Sequence, residues 1–214
     1  MKKALLLSLS ILLGASFQQS CTKKKKKSAP AHHQAGGDPE AGENQLKPRK
    51  DGALIWKRYR AFEQGLMGGL ELSKNELCSE VGSFNCIDQA HLTVLGGNEP
   101  FANAQHERPG APSALTAVAV SRVLMSACSK RADLDQNAGA SASVFKSFSL
   151  AGPIPDDNAV KELTVNLYQR LLARDPEPKE TEAVVAAKAQ FSDSRALAVG
   201  ICYAIGTHIE NIFL

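Results

Sequence analysis

The sequence predicts an all-α fold: a single orthogonal domain of five or six helices behind a disordered N-terminal tether. Three observations predict it. Apolar residues recur at helical spacing five or six times after residue 50, while no alternating strand pattern survives beyond a few positions. Glycines, prolines and capping residues interrupt those stretches at helix-length intervals. The composition, 43% apolar and 22% charged, is that of a globular chain and excludes a collagenous, mucin-like or wholly disordered one.

The elements follow in order. Lys2 and Lys3 precede an uncharged stretch over residues 4–17, the pattern of an export signal and too short to span a bilayer as a helix. Residues 1–20 are therefore expected to be a signal peptide, and residues 21–52 a flexible basic tether of Ala, Pro, Gly, His, Gln and charge. The helical domain is expected over 53–214. Its first helix, 53–70, sets Ile55, Tyr59, Phe62, Leu66 and Leu70 on one face and Lys57, Arg58 and Glu63 elsewhere. Ser73 and Glu76 have capping-box spacing for a short helix over 73–81, broken at Gly82. Another turn or two over 87–95 stops at Gly96 and Gly97.

Residues 95–112 carry three prolines and three glycines, and no helix is expected there. A central helix follows over 113–132, with Leu115, Ala119, Val123, Leu124, Ser126 and Cys128 on a broad apolar face. After a loop of small residues over 133–155, Asp156 caps a helix bearing Val160, Leu163, Leu167 and Leu171, which ends before Pro176. Pro178 lies near the start of the next, which runs to about 191. Ser192 or Ser194 caps the last helix, whose Leu197, Ile201, Ile205, His208 and Ile212 form an apolar stripe, so the C-terminus is expected to pack.

Cys21 follows Ser20 where exported bacterial lipoproteins carry their lipid-modified cysteine, and the segment resembles a lipobox with Gln18 and Gln19 in place of the usual aliphatic and small residues. The run from Leu167 and Tyr168 through Leu171, Leu172, Arg174 and Pro176 to Glu180 is similar to a motif, LYxxLLxRxPxxxE. That motif occurs in helical domains of unknown function in planctomycete and myxobacterial cell-surface proteins. The stretches at 95–100 and 126–129 also resemble segments of uncharacterised lipoproteins from such bacteria. The resemblance implies an exported helical protein and brings no activity with it. Physically, Tyr168 and the leucines are expected to pack, Arg174 to serve the helix C-terminus and Glu180 to lie in the next helix's first turn.

Charge narrows the partners. Residues 22–60 hold eleven Lys/Arg against four Asp/Glu, whereas 61–214 hold twelve against eighteen. A nucleic-acid reader carries positive charge on its folded domain, and here that domain has the opposite sign. The lysine run from Lys23 to Lys27 would instead lie at a membrane surface beside a lipid on Cys21, each lysine adding about 1 kcal/mol near anionic lipid. A solvated spacer is the equal alternative for that run. Thr22, in place of an inner-membrane retention Asp, favours the outer membrane.

Cys78, Cys86, Cys128 and Cys202 are even in number in an exported chain, which favours two disulfides among three possible pairings. A short loop across Gly82 favours Cys78 with Cys86, leaving Cys128 with Cys202 to join the central and last helices. Zinc on Cys78, Cys86 and His91 is the rival reading, and burial as free thiols is another for Cys128 and Cys202. Asp133, Asp135 and Asn137 open like a calcium loop but lack its glycine and final glutamate, so a capping turn is expected instead. No hydrolase, zincin or nucleotide motif accompanies His91, His106 and His208, or His32 and His33 in the tether. No cofactor and no metal are expected.

Loops this long inside compact domains are uncommon and usually functional. The segment 96–112 is therefore the expected recognition surface, with Phe101 as an apolar anchor and Asn98, Glu99, His106 and Arg108 around it. Its competitor is Phe101 folded back as a lid on the core. A carboxylate pair, Glu99 and Glu107, is a weaker catalytic candidate. The expected function is a non-enzymatic, envelope-anchored binding or assembly module for another envelope component, with an unidentified envelope protein and the membrane as partners. The alternative is an envelope enzyme or redox accessory with its site in the same loop.

Overall fold

A computed structural model describes residues 55–80, 84–104 and 106–213, without the side chains of Glu80, Ala102 and Asn103. The signal segment, Cys21, the lysines from Lys23 to Lys27, His32 and His33 lie outside the described residues. The chain divides into two units, Met1–Pro48 and Arg49–Leu214, and all described residues belong to the second.

The all-α expectation holds. Helix α1 is Tyr59–Leu70, α2 Lys74–Leu77, α3 Pro100–Asn103, α4 Ala114–Ala138, α5 Asp157–Leu172, α6 Pro178–Ala187, α7 Ser194–Gly206 and α8 Ile209–Ile212. A two-residue antiparallel pair, β1 (Ser79–Glu80) and β2 (Phe84–Asn85), leads into a π-helical turn, Cys86–Ala90. Disulfides join Cys78 to Cys86 and Cys128 to Cys202, with Cα separations of 5.4 and 5.9 Å. The first bond closes the hairpin. The second ties α4 to α7, the most extensively packed helix pair, where Ser121 Oγ and Tyr203 Oη also lie 2.7 Å apart.

The core runs along the inner faces of α1, α4, α5 and α7. Leu66, Leu70, Val123, Leu124, Leu163, Leu167 and Leu197 are fully buried, and each such side chain contributes about 2 kcal/mol relative to exposure. The α1 and α5 backbones approach closely at Gly69, where a Cβ would stand 2.8 Å from the Arg170 carbonyl oxygen. At the C-cap of α1, Glu71 takes a left-handed conformation, and its carboxylate accepts from Arg170 Nη1 at 2.8 Å. That hydrogen bond holds the Glu71 carboxyl below the usual range.

Several boundaries differ from expectation. Helix α1 begins at Tyr59 rather than near 53, because Trp56 pairs in an antiparallel bridge with Phe213. Ile55 is exposed, and Glu63, expected outside, is buried beside Arg60 and Lys74. The Ser73–Glu76 capping box is present, but α2 stops at Leu77 where the disulfide hairpin begins. Helix α4 runs six residues beyond 132. Its extension places Asp135 one turn after Arg131 on the buried face, and the two pair at 2.8 Å. Leu115, expected on the core face of α4, is 63% exposed, since the inward residues of its first turns are Thr116, Ala119, Val120, Val123 and Leu124.

The capping turn expected at 133–137 is thus helix. Asp135 nevertheless caps from a distance: its carboxylate accepts from the backbone N–H groups of Ser143, Val144 and Phe145 at 2.9, 3.2 and 2.7 Å. With those donors and Arg131 on its oxygens, and Asp133 paired to Arg195, the carboxylates that resembled a calcium loop are already committed. Asp156 caps α5 by accepting from Ala159 N–H. For α7 the cap is Asp193, not either serine. Ser194 is buried instead and donates to the Gly152 carbonyl at 2.7 Å, with the Ser149 carbonyl at 2.9 Å as alternative acceptor. The stripe ending in His208 and Ile212 breaks at Thr207, and His208 caps α8 by accepting from Glu210 N–H.

Candidate functional site

The segment 96–112 leaves a rigid base. Tyr59 N–H donates to the Leu95 carbonyl at 2.7 Å, and Gly97 N–H returns to that of Leu92 at 2.8 Å. Gly96 has φ +83°, and a Cβ there would meet the Trp56 ring at 2.9 Å, so both its conformation and its neighbour require glycine. At the far root, Thr116 Oγ1 accepts from Ser113 N–H and donates to the Val94 carbonyl at 2.7 Å. Both ends of the loop are therefore bonded to the same stretch, 92–94.

A single helical turn, α3, interrupts the segment, contrary to the expectation of none. Pro100 supplies the fixed φ of a first helical position and lacks the N–H that would go unbonded there. Ala104 ends the turn in a left-handed conformation, its N–H donating to the Pro100 carbonyl. The turn presents Phe101, whose side chain is as open to solvent as in an extended peptide, at 103% exposure. Phe101 is thus not a lid on the core.

The loop's polar residues divide into two groups. His106, Glu107 and Arg108 are exposed. Asn98 and Glu99 instead border a polar cavity of about 440 Å³ together with Arg60, Asp88, Gln89 and Leu92. The Asn98 Oδ1 is shielded from solvent and finds no hydrogen-bond partner among the described residues. Glu99 lies at that cavity and Glu107 on the exposed loop, so the two share no enclosed site in which a carboxylate pair would work.

Beneath the cavity lies a charge cluster the sequence did not reveal. Arg60 Nη1 bonds Glu63 Oε2 at 2.7 Å and approaches Asp88 Oδ1 at 3.0 Å. Lys74 Nζ contacts Asp88 Oδ2 and stands 3.8 Å from Glu63 Oε1. The Glu63 hydrogen bond, and then the Asp88 charge, raise the Arg60 pKa above its ordinary value. Two cations matched to two carboxylates join α1, α2 and the π-turn. Only the i,i+3 spacing of Arg60 and Glu63 carries a signal that a sequence reading could have used.

Other candidate chemistry is similarly engaged. Cys78 and Cys86 are bonded to each other, which removes two of the three ligands in the zinc reading. Among the described residues no cluster of three or more His, Cys, Asp or Glu is arranged to hold a metal ion. Arg174, expected at helix carbonyls, forks onto Glu180 and Glu210 and lies over the Tyr168 ring at 5.0 Å. Searches find no family model, no curated protein and no solved structure that matches this chain.

Proposed function

We propose that the chain is an envelope-anchored lipoprotein whose folded domain is a non-enzymatic binding or assembly module, engaging another envelope component through residues 96–112. The observation that carries the reading is Phe101, fully exposed on a turn whose base is fixed by Pro100 and by the bonds at Leu95 and Thr116. A phenylalanine left in water forgoes about 2 kcal/mol of burial. Holding it there on an ordered base lowers the entropy lost when a partner covers it.

The anchoring half rests on the sequence: Lys2 and Lys3, the apolar stretch 4–17, Cys21 and the lysines from Lys23 to Lys27. Lipidation of Cys21 and cleavage before it would leave 194 residues, held at the outer membrane in preference to the inner. The acidic domain disfavours nucleic acid. Engagement of the buried carboxylates with Arg60, Lys74 and Arg131, and of four cysteines in disulfides, favours a binding role over a catalytic or redox one.

Crosslinking in native membranes, followed by purification, tests the reading. Phe101→Ala and Arg108→Ala are each expected to reduce recovery of the envelope component, lipid or protein, while the melting temperature holds. Undiminished recovery in both variants would refute it.

A further inference from the structure

We propose that the component met by this end of the domain is the lipid bilayer itself, with Ile55, Phe101, Leu115 and Val118 as an apolar rim that enters the membrane interface. The proposal rests on the anchored reading above and names the partner of the same loop.

Four stretches distant in sequence converge at this end. The Trp56 ring covers Gly96, Tyr59 N–H bonds the Leu95 carbonyl, Thr116 bonds the Val94 carbonyl, and Trp56 pairs with Phe213. Eight large apolar side chains are exposed among the described residues. Five of them, Ile55, Phe101, Leu115, Val118 and Ile209, lie within five residues of those contacts. Phe84 and Val165 lie elsewhere in the sequence, and Met125 continues the outer face of α4 two turns beyond Val118. Leu115 and Val118, three apart on α4, project from the same outer face.

Residues 1–54 join the described domain at Ile55, beside this rim. An anchor at Cys21 would therefore leave the domain at the apolar end. A flexible chain of roughly 30 residues, the number between Cys21 and Ile55, has an end-to-end distance of about 30 Å. At that reach the rim meets the bilayer intramolecularly, at an effective concentration on the order of millimolar, so weak partitioning is enough to orient the domain. Around the rim, Glu99 and Glu107 stand against Arg108 and against Lys57 and Arg58 beside Ile55, a net of one positive charge. A nearly neutral apolar rim suits a zwitterionic interface, and Phe101 protrudes from its turn as a wedge between headgroups rather than lining a groove.

Trp56 is the chain's one tryptophan and stands at the base of the rim. The chain beginning at Cys21 is coupled through that thiol to a maleimide lipid in zwitterionic vesicles, with and without brominated acyl chains. Coupling makes the measurement independent of cellular acylation, which intact mass of the membrane-extracted protein reads separately. The proposal expects loss of Trp56 emission in brominated vesicles. It expects that loss to disappear in the Phe101→Ser, Leu115→Ser double variant, with coupling and melting temperature retained. Undiminished emission in the coupled wild-type chain would overturn it, as would equal quenching in the double variant. A protein crosslinked at Phe101, with no quenching by lipid, would assign the rim to a protein partner instead.

Discussion

Arg174 and Glu180 form a two-pronged pair, Nη1 to Oε2 and Nη2 to Oε1, both at 2.8 Å, and Glu210 accepts from the same guanidinium at 2.6 Å. The pair locks the turn between α5 and α6 to the C-terminal segment, which in turn holds Lys57 through the Ile212 and Glu210 carbonyls. The Arg174 hydrogen bond holds the Glu180 carboxyl down at about 2. A carboxylate with a depressed folded pKa stabilises fully above its unfolded value, near 4.5, and that contribution is lost as pH falls toward 2. Glu180→Gln is expected to lower stability at neutral pH by about 1–2 kcal/mol, the partly exposed setting keeping the effect modest. The difference from wild type should shrink between pH 4.5 and 2 in denaturant titrations.

Asp135→Ala should be among the most destabilising single changes. It would strand three backbone N–H groups and the buried Arg131 guanidinium, a loss of about 3–5 kcal/mol. Asp135→Asn keeps one acceptor oxygen and should fall between. Urea midpoints at unchanged slope would check the order.

The two disulfides should differ in worth. In the chain-entropy model, the 74-residue separation of Cys128 and Cys202 corresponds to about 4.4 kcal/mol, against about 2.5 for the eight-residue separation of Cys78 and Cys86. Thermal unfolding of the two paired Cys→Ala variants compares them. A larger loss from the hairpin bond would show that its closure organises more than the local turn.

Phe101→Ala should leave the melting temperature almost unchanged, within about 0.5 kcal/mol of stability, as for an exposed position. A marked drop would return Phe101 to the role of a lid.

Much of the helical framework was legible because single residues announce it: Asp156 as a cap, Ser73 with Glu76 as a box, Pro178 as a first-turn residue. Where the reading failed, tertiary partners decided. The polar stretch at 133–137 looked like a turn, yet α4 continues because Asp135 satisfies the backbone of 143–145, ten residues away at the farthest. Helix α1 starts late because Phe213 captures Trp56. A four-residue helix such as α3 is too short to leave a periodic signal, and only Pro100 hinted at it. Of the site, Phe101 and its polar neighbours could be named from the loop's length. Arg60, Glu63, Lys74 and Asp88 could not be joined in advance, since α1, α2 and the π-turn bring them together.

The most direct measurement places a photoreactive side chain at position 101 in cells and compares it with the same group at Val165, an exposed apolar position far from the loop in sequence. Irradiation is expected to give adducts to an envelope component from position 101 and little from position 165. Equal labelling from both positions, or none from position 101, would contradict the account.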